Sequence, residues 1–142
     1  MANNKKLNKG SSGQNRKASE EFLLKYAQKE GVLATGTGLL YRLLESGDGL
    51  CPTMADTVVV NQRILNVDGG VIADTYKTGM PEKFSMKEAI PGLCEALLLM
   101  PCNTRFECVI PPDLAWGKKG ASNKIGPNAV LIFDVRILEV VF

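Results

Sequence analysis

The pattern of apolar and polar residues predicts one short, almost wholly apolar helix and several strands large enough to cover it. The helix is the stretch 90–100, IPGLCEALLLM, in which Pro91 suits the first turn because its missing N–H would have no partner there. Glu95 is its only charge. A helix that is apolar on nearly every side must be buried under a larger element. Four side chains have the spacing of one helix face and three more cover most of the remainder: Leu93, Ala96, Leu97 and Met100, then Cys94, Leu98 and Leu99.

Strand patterns lie on both sides of this helix. Residues 57–66, TVVVNQRILN, are rich in β-branched side chains and form the clearest strand. Residues 104–110 and 129–142 alternate in the way typical of half-buried antiparallel strands. The sequence Asp68-Gly69-Gly70 predicts a hairpin turn, because glycine readily adopts positive φ. Shorter strands are expected at 39–46, 71–73 and 83–86. The whole predicts an α+β fold in which an antiparallel sheet wraps around one central helix.

A second helix is predicted near the start of the chain. Ser19 precedes EEFLLKYAQKEG, so we expect a helix over residues 19–31, capped at Ser19 and ended by Gly31. Its apolar stripe is too short for a coiled coil, which favours a monomer. The helix packs either on its own domain or against a partner chain. Residues 32–37 are expected to be a connector.

Composition and charge divide the chain into a leader and a body. Its 142 residues predict one domain with an appendage. Five basic residues and no acid lie in the first 19 residues, so the remainder has a net charge of −3. Basic residues on a Gly/Ser/Asn-rich segment favour a solvated leader rather than a nucleic-acid surface. We therefore expect a disordered basic leader over 1–18, the helix 19–31, one domain over 32–142, and no nucleic-acid partner.

The cysteines and the apolar segments restrict the kinds of site and the compartment. Cys51, Cys94, Cys102 and Cys108 form no C-x-x-C pair and the chain has no His, so no metal site is expected and buried thiols are the better interpretation. A Cys102–Cys108 disulfide stays open for an oxidising compartment. No apolar run approaches the ~20 residues that span a bilayer. The cationic start lacks a signal-peptide core, which predicts a cytoplasmic protein, or a periplasmic one if a signal has been removed.

The long loop 111–128 holds three prolines and three glycines, and loops of this length in compact domains are usually functional. With its flanks, VIPPDLAWGKKG and IGPNAVLIFDVRILEV, it closely resembles the C-terminal signature of FKBP-type peptidyl-prolyl isomerases. AIPGLCEALLLM resembles the central helix of that family, and FLLKYAQKEGVLATGTGLLYRLLESGDG the lead-in segment of bacterial members of the Mip, FkpA and FklB type. The resemblance covers roughly residues 19–142. It implies a five- to six-stranded antiparallel sheet around one short helix.

The resemblance also implies an activity. Family members bind a prolyl residue of a protein or peptide in an apolar hollow, without a cofactor. Rotation about a peptide bond has a barrier of ~18–20 kcal/mol from amide resonance. Catalysis then requires only that the twisted amide bind better than the planar one. The alternative is a catalytically weak or inactive module of the same fold that binds a protein partner.

Five positions of the family's pocket keep their character here. Trp116 stands where the family has a tyrosine that offers its hydroxyl to the substrate carbonyl, and an indole N–H can also donate. Phe133 and Ile90 match the family's residues, and the Ile90 backbone N–H corresponds to a ligand contact. Ala89 replaces a neighbouring valine, and Ile125 is the apolar residue of the loop. The resemblance makes Trp116, Ile90 and Phe133 the candidate catalytic residues.

Other pocket positions differ from the family. Leu93 replaces the tryptophan of the pocket floor, Gln62 a strand tyrosine, Ile72 a phenylalanine after the Asp-Gly turn, and Glu82 a phenylalanine of the wall. These four residues remain substrate-binding candidates, with Ala89 and Ile125. The hollow has therefore lost most of its aromatic lining, which favours weak catalysis.

One acidic position has two alignments. Ala73 replaces the family's aspartate if no gap is allowed, whereas a one-residue gap brings Asp74 into that position. Both residues are therefore candidates for the substrate-binding set.

Overall fold

The structure, a computed structural model, describes residues 12–121 and 124–142. Three α-helices and seven strands are found in these residues, with two short 3₁₀ helices at Met86–Glu88 and Pro112–Leu114. The elements follow the chain in this order: α1 (Ser12–Ala27), β1 (Val32–Ala34), β2 (Leu40–Glu45), β3 (Thr57–Asn66), β4 (Val71–Asp74), α2 (Thr75–Thr78), β5 (Glu82–Ser85), α3 (Pro91–Leu98), β6 (Arg105–Ile110) and β7 (Leu131–Val141).

The strands described form one antiparallel sheet in the order β1-β2-β6-β7-β3-β4, with β5 also paired to β3. β7 pairs with β6 on one side and with all ten residues of β3 on the other, with a bulge at Val59/Val60. The predicted antiparallel α+β fold is confirmed. The extra strand is β1, at Val32–Ala34, where the sequence predicted only a connector. Three residues are too few to show an alternation.

The concave face of the sheet covers α3, which is the core of the molecule. Leu93, Ala96 and Leu97 are buried against apolar side chains of β3, β6 and β7. Gly92 is required here, because a Cβ atom would lie 2.4 Å from Cγ2 of Ile110. The burial predicted for this helix is thus confirmed, but only on one side.

The other side of α3 corrects the prediction. Leu98 and Leu99 are 37 % and 47 % exposed, although a helix covered all round was expected. The sheet covers one face of the helix and leaves the side chains on the opposite side of its C-terminal end at the surface. The apolar sequence therefore overstated the covered area.

The convex face of the sheet carries α1. Tyr26 is buried there with Leu40, Val109 and Val130, and its ring stacks on Phe22 at 6.1 Å between centroids. Val109 of β6 is thus covered by this helix. Of the two packing arrangements that the sequence left open, the structure has the one in which α1 lies on its own domain.

The bounds of α1 differ from the prediction. The helix includes Ser12 to Ala27 rather than beginning at Ser19 and ending at Gly31. Arg16, Lys17 and Ala18 are good helix formers, so the helix continues through them. Beyond Ala27 two tight turns lead to Gly31, whose φ of +83° ends the segment. The remaining predicted leader, residues 1–11, lies outside the described residues.

All four cysteines are free thiols. Cys108 is buried in the core, and burial raises the pKa of its thiol. Cys102 lies in the turn before β6, and its Sγ is 4.0 Å from the Ile137 carbonyl oxygen. From Arg105 to Cys108 alone an extended strand advances about 10 Å, beyond the reach of a disulfide. The disulfide left open by the sequence is therefore not present.

None of the helices among the described residues is long and apolar enough to cross a membrane.

Candidate functional site

The candidate site lies on the concave face of the sheet beside α3. Ile64 of β3 is paired with Phe133 of β7 on one side and with Ala73 of β4 on the other. Directly paired residues of neighbouring strands point to the same face, so these three side chains form one row. Phe133 is buried in the core cluster and Ile64 packs at its edge. Two of the residues predicted from sequence, Ala73 and Phe133, thus share a row.

The next two rows bring Gln62 and Glu82 to the same face. Gln62 is paired with Val135, and Glu82 with Val60, both of which are core residues. The Gln62 Nε2 donates to the Glu82 carboxylate at 3.0 Å. Gln62 is only 5 % exposed, and its Oε1 has no hydrogen-bond partner among the described residues. A hydrogen-bonded polar pair thus lies at this part of the concave face.

The segment before α3 supplies the other side of the site. The Ser85 N–H donates to the Glu88 carboxylate at 2.9 Å and lowers the pKa of Glu88. This capping box fixes the turn that leads to Ile90, the N-cap of α3, with φ −60° and ψ 152°. Ala89 and Ile90 pack at the edge of the core cluster, and Leu93 is inside it.

One backbone donor at this edge is free. Among the hydrogen bonds of the described residues, none uses the Ile90 N–H. It lies at the N-terminal end of α3, where the backbone dipoles favour an electron-rich group. The Ile90 N–H can therefore donate to a carbonyl oxygen placed at the site.

The loop between β6 and β7 is tied at several points. The Gly117 N–H donates to the Pro112 carbonyl at 2.8 Å, and residues Ala121 and Ile125 exchange two backbone hydrogen bonds of 2.8 and 3.0 Å. Gly120 is needed between them because a Cβ would lie 2.4 Å from the Ile125 carbonyl oxygen and φ is +70°. Ile125 is thereby buried in the core cluster.

Trp116 sits at the start of this loop, with 38 % of its surface exposed. Its carbonyl accepts from the Gly120 N–H at 3.2 Å, which fixes the backbone. The indole N–H has no hydrogen-bond partner among the described residues. Trp116 thus offers a second free donor, on the loop.

Two of the predicted residues lie apart from the row. The β3–β4 register shifts between Ile64 and Leu65, which leaves Ile72 unpaired as a bulge, half-buried at the edge of the core cluster. Asp74 is paired with Arg63, on the opposite face of β4 from Ala73. Its carboxylate accepts from the Lys77 N–H at 3.2 Å and caps α2. The structure therefore brings Ala73, and not Asp74, into the row with Phe133.

Sequence reasoning missed Ile64. It lies at the centre of the row, between Ala73 and Phe133. The signal was available, because side chains two apart on a strand share a face and Gln62 was already a candidate. Three loop residues that pack against the core cluster were also missed: Leu114, Ala115 and Ala121.

The chemistry open to this site is that of binding and orientation. Within the described residues, no group of three or more His, Cys, Asp or Glu side chains is arranged to hold a metal ion. The concave face offers apolar side chains, one buried amide and the free Ile90 N–H, and the neighbouring loop carries the indole N–H of Trp116. Apolar side chains can pack against a ring, and an N–H donor can hold a carbonyl oxygen.

Known proteins share this architecture. Residues 51–138 match the family model described as FKBP-type peptidyl-prolyl cis-trans isomerase, and residues 1–43 match that of the domain amino terminal to it. The crystal structure of FkpA from Escherichia coli superposes with a TM-score of 0.88 at 38 % identity, over 92 % of this chain and 61 % of that one.

Curated relatives give the same family. Peptidyl-prolyl cis-trans isomerase Mip from Coxiella burnetii is 40 % identical over 126 residues, which are 89 % of this chain and 55 % of the relative. A protein named "Outer membrane protein MIP" from Legionella longbeachae is 36 % identical over 127 residues, 89 % of this chain and 54 % of that protein. This chain spans about half the length of these relatives. The family matches confirm the resemblance seen in the sequence: the chain belongs to the FKBP-type peptidyl-prolyl cis-trans isomerase family.

Proposed function

We propose that this protein is a peptidyl-prolyl cis-trans isomerase that acts on Xaa-Pro bonds of protein substrates and assists their folding. One observation supports this most directly. Residues from distant parts of the chain, Ala73, Ile90, Leu93, Ile125 and Phe133, meet at one concave apolar surface beside the loop that carries Trp116.

The apolar surface suits the chemistry of amide rotation. The barrier of ~18–20 kcal/mol comes from resonance, which also makes the planar amide more polar than the twisted one. Transfer from water to an apolar surface therefore favours the twisted form. Selective binding of that form lowers the barrier, and no nucleophile or cofactor is needed.

Four residues have distinct roles in this proposal. Phe133 forms the wall against which the prolyl ring packs, and Leu93 the floor. The Ile90 N–H donates to a substrate carbonyl, and the Trp116 indole N–H donates to the second one. Donors that are fixed before the substrate arrives need no reorganisation as the amide twists.

The polar pair at the wall favours a second candidate function. Gln62 and Glu82 replace rings with an amide and a carboxylate, and Leu93 leaves the floor smaller than a tryptophan would. Such a site can bind a proline-containing segment of a partner without turning it over rapidly. We rank this binding module second, because it explains the family membership but not the two free donors.

The proposed substrates are proteins and peptides that contain proline. We also propose that the chain acts as a monomer, because α1 uses Tyr26 and Phe22 against its own sheet. The cytoplasmic location expected from the sequence has no support among the relatives, one of which is named an outer membrane protein. We therefore propose the alternative, a periplasmic location.

Exchange spectroscopy by NMR on an Xaa-Pro peptide tests the proposed activity. We expect catalysed cis/trans interconversion by the wild-type chain. We expect Trp116→Ala to lower the catalysed rate by about five- to tenfold, the loss of one hydrogen bond. Phe142→Ala is the matched control, since it removes an exposed ring at the end of the chain and should leave the rate unchanged.

The same experiment separates the two candidate functions. Chemical-shift changes of the peptide without faster exchange, at high protein concentration, would support the binding module. If the peptide shows neither chemical-shift changes nor faster exchange, the concave surface is not a prolyl site. Equal rates for wild type and Trp116→Ala would remove the indole from the mechanism.

A further inference from the structure

The helix α1, on the convex face, is bonded to the base of the loop that carries Trp116. The Ser19 hydroxyl donates to the carbonyl oxygen of Asn128 at 2.7 Å, 109 residues away in sequence. Ser19 is only 4 % exposed, so water does not compete for this bond. A helix outside the sheet thus holds a residue of the loop directly.

Asn128 carries this connection into the loop. Its N–H donates to the Gly117 carbonyl at 2.8 Å, and Gly117 is the residue after Trp116. Two hydrogen bonds therefore join α1 to the neighbour of the indole through one residue. Asn128 has a φ of +55°, a conformation that asparagine tolerates better than most residues. Both of its peptide groups are used, so its position fixes the base of the loop.

Packing reinforces the same connection. Val130, two residues after Asn128, is buried under α1 against Tyr26. The chain from Asn128 to Val130 is therefore held at one end by a hydroxyl and at the other by apolar contact. A shift of α1 along the sheet would move both.

We propose that Ser19 is a positioning residue for the prolyl site: through Asn128 it sets the place of the loop that presents Trp116. The catalytic consequence rests on the proposed isomerase function, whereas the effect on the loop does not. The N-terminal helix would then control the site from the opposite face of the sheet. Displacement of α1 would slow the isomerase without any change in the concave surface.

Tyr26 offers a matched control on the same helix. Its hydroxyl donates to the Glu107 carboxylate at 2.6 Å, and Glu107 lies on β6, away from the loop. Ser19→Ala and Tyr26→Phe each remove one hydroxyl and one hydrogen bond between α1 and the domain. Only Ser19→Ala breaks the connection to Asn128.

The fluorescence of Trp116 reports on the loop directly, because the chain has one tryptophan. We expect the acrylamide quenching constant to rise by up to about twofold in Ser19→Ala, since a loosened loop opens locally. We expect no change in Tyr26→Phe. With an Xaa-Pro peptide, kcat/KM should fall by about fivefold in Ser19→Ala and stay within about twofold of wild type in Tyr26→Phe. Far-UV circular dichroism confirms that both variants are folded.

An unchanged quenching constant in Ser19→Ala, or equal increases in both variants, would overturn the proposal. Equal increases would mean that any loosening of α1 affects the loop. If the wild-type chain has no isomerase activity, the proposed function is wrong, but the proposal that Ser19 positions the loop is still open to test. The difference in quenching between the two variants still decides whether Ser19 positions the loop.

Discussion

The helices α3 and α1 lie on opposite faces of one sheet and are held there by different interactions. α3 buries apolar side chains such as Leu93 and Leu97 among the core residues of three strands. α1 is twice as long, yet from Arg16 onward only Ser19 and Tyr26 are fully buried. Both of these side chains end in a hydroxyl that donates to the domain.

These two kinds of interaction have different consequences: apolar burial stabilises the fold, whereas a hydrogen bond fixes the position of a segment. Apolar burial is non-directional and roughly proportional to the area removed from water, so α3 contributes more stabilisation than α1 does. A hydrogen bond adds only about 1 kcal/mol net, but it fixes a donor against one acceptor. We infer that the inner helix stabilises the fold, whereas the outer helix places the loop.

The largest expected effect comes from the inner helix. Leu97→Ala should lower the free energy of unfolding by about 3 kcal/mol, because the side chain is wholly buried and leaves a cavity. Leu98→Ala is the matched control, one residue along and 37 % exposed, and should cost well under half as much. Urea denaturation of the two variants measures the difference. Similar losses would mean that α3 is not held by its buried face.

A substitution on the part of the convex face that α1 does not cover should have an intermediate effect on the free energy of unfolding. The Asp134 carboxylate accepts from Arg105 Nε at 3.0 Å and Nη2 at 2.9 Å, and from the Tyr76 hydroxyl at 3.2 Å. Asp134→Asn removes the charge from this group of bonds. We expect a loss of about 2 kcal/mol in the free energy of unfolding, typical of a hydrogen bond to a charged group.

Glu45→Gln on the same face is the control for Asp134→Asn. Glu45 pairs with Arg136 but is largely exposed, and exposed ion pairs contribute little. Its urea denaturation midpoint should stay close to that of the wild type. A larger loss for Glu45→Gln than for Asp134→Asn would contradict the distinction between buried and exposed charge on this face.

The buried helix and the long central strand could be predicted from the sequence, whereas the short elements at the surface could not. The spacing of apolar residues and Pro91 predicted α3, and the β-branched run predicted β3 with the observed bounds, Thr57–Asn66. These signals are local, because a buried face repeats every two or every 3.6 residues. β1 and α2, with three and four residues, are too short to carry such a repeat.

Hydrogen bonds between segments that are distant along the chain leave no periodic pattern in the sequence. Ser19 precedes two acids and so has the pattern of a helix cap, yet its hydroxyl is used by Asn128. The pairing of Gln62 with Glu82 spans 20 residues and depends on the register of β5 on β3. The bulge at Ile72 places Asp74 on the other face, which no pattern of residue types indicated. The candidate site was found by resemblance, and its internal contacts required the structure.

The smallest expected effect is on the outer helix, and pH reveals it. Burial, and then the hydrogen bond to Glu107, raise the pKa of Tyr26 above its ordinary value of 10.0. The folded state therefore keeps this proton at a pH where the unfolded chain has lost it. The stabilisation is complete below about pH 10 and declines as pH rises further. Tyr26→Phe should cost about 1 kcal/mol at pH 7.

Above pH 10 the free energies of unfolding of wild type and Tyr26→Phe should converge, because the wild type loses the stabilisation from the Tyr26 hydroxyl, which the variant lacks at every pH. Tyr76, whose pKa burial and Asp134 raise to about 12, and the buried thiol of Cys108 titrate in both proteins and cancel in the comparison. Urea denaturation of wild type and Tyr26→Phe at pH 7, 9 and 10.5 measures the convergence. Parallel curves would mean that the Tyr26 hydroxyl is not held by Glu107 in the folded state, and the Ser19 hydroxyl would then be the one buried side-chain hydroxyl of α1, from Arg16 onward, that is bonded to the domain.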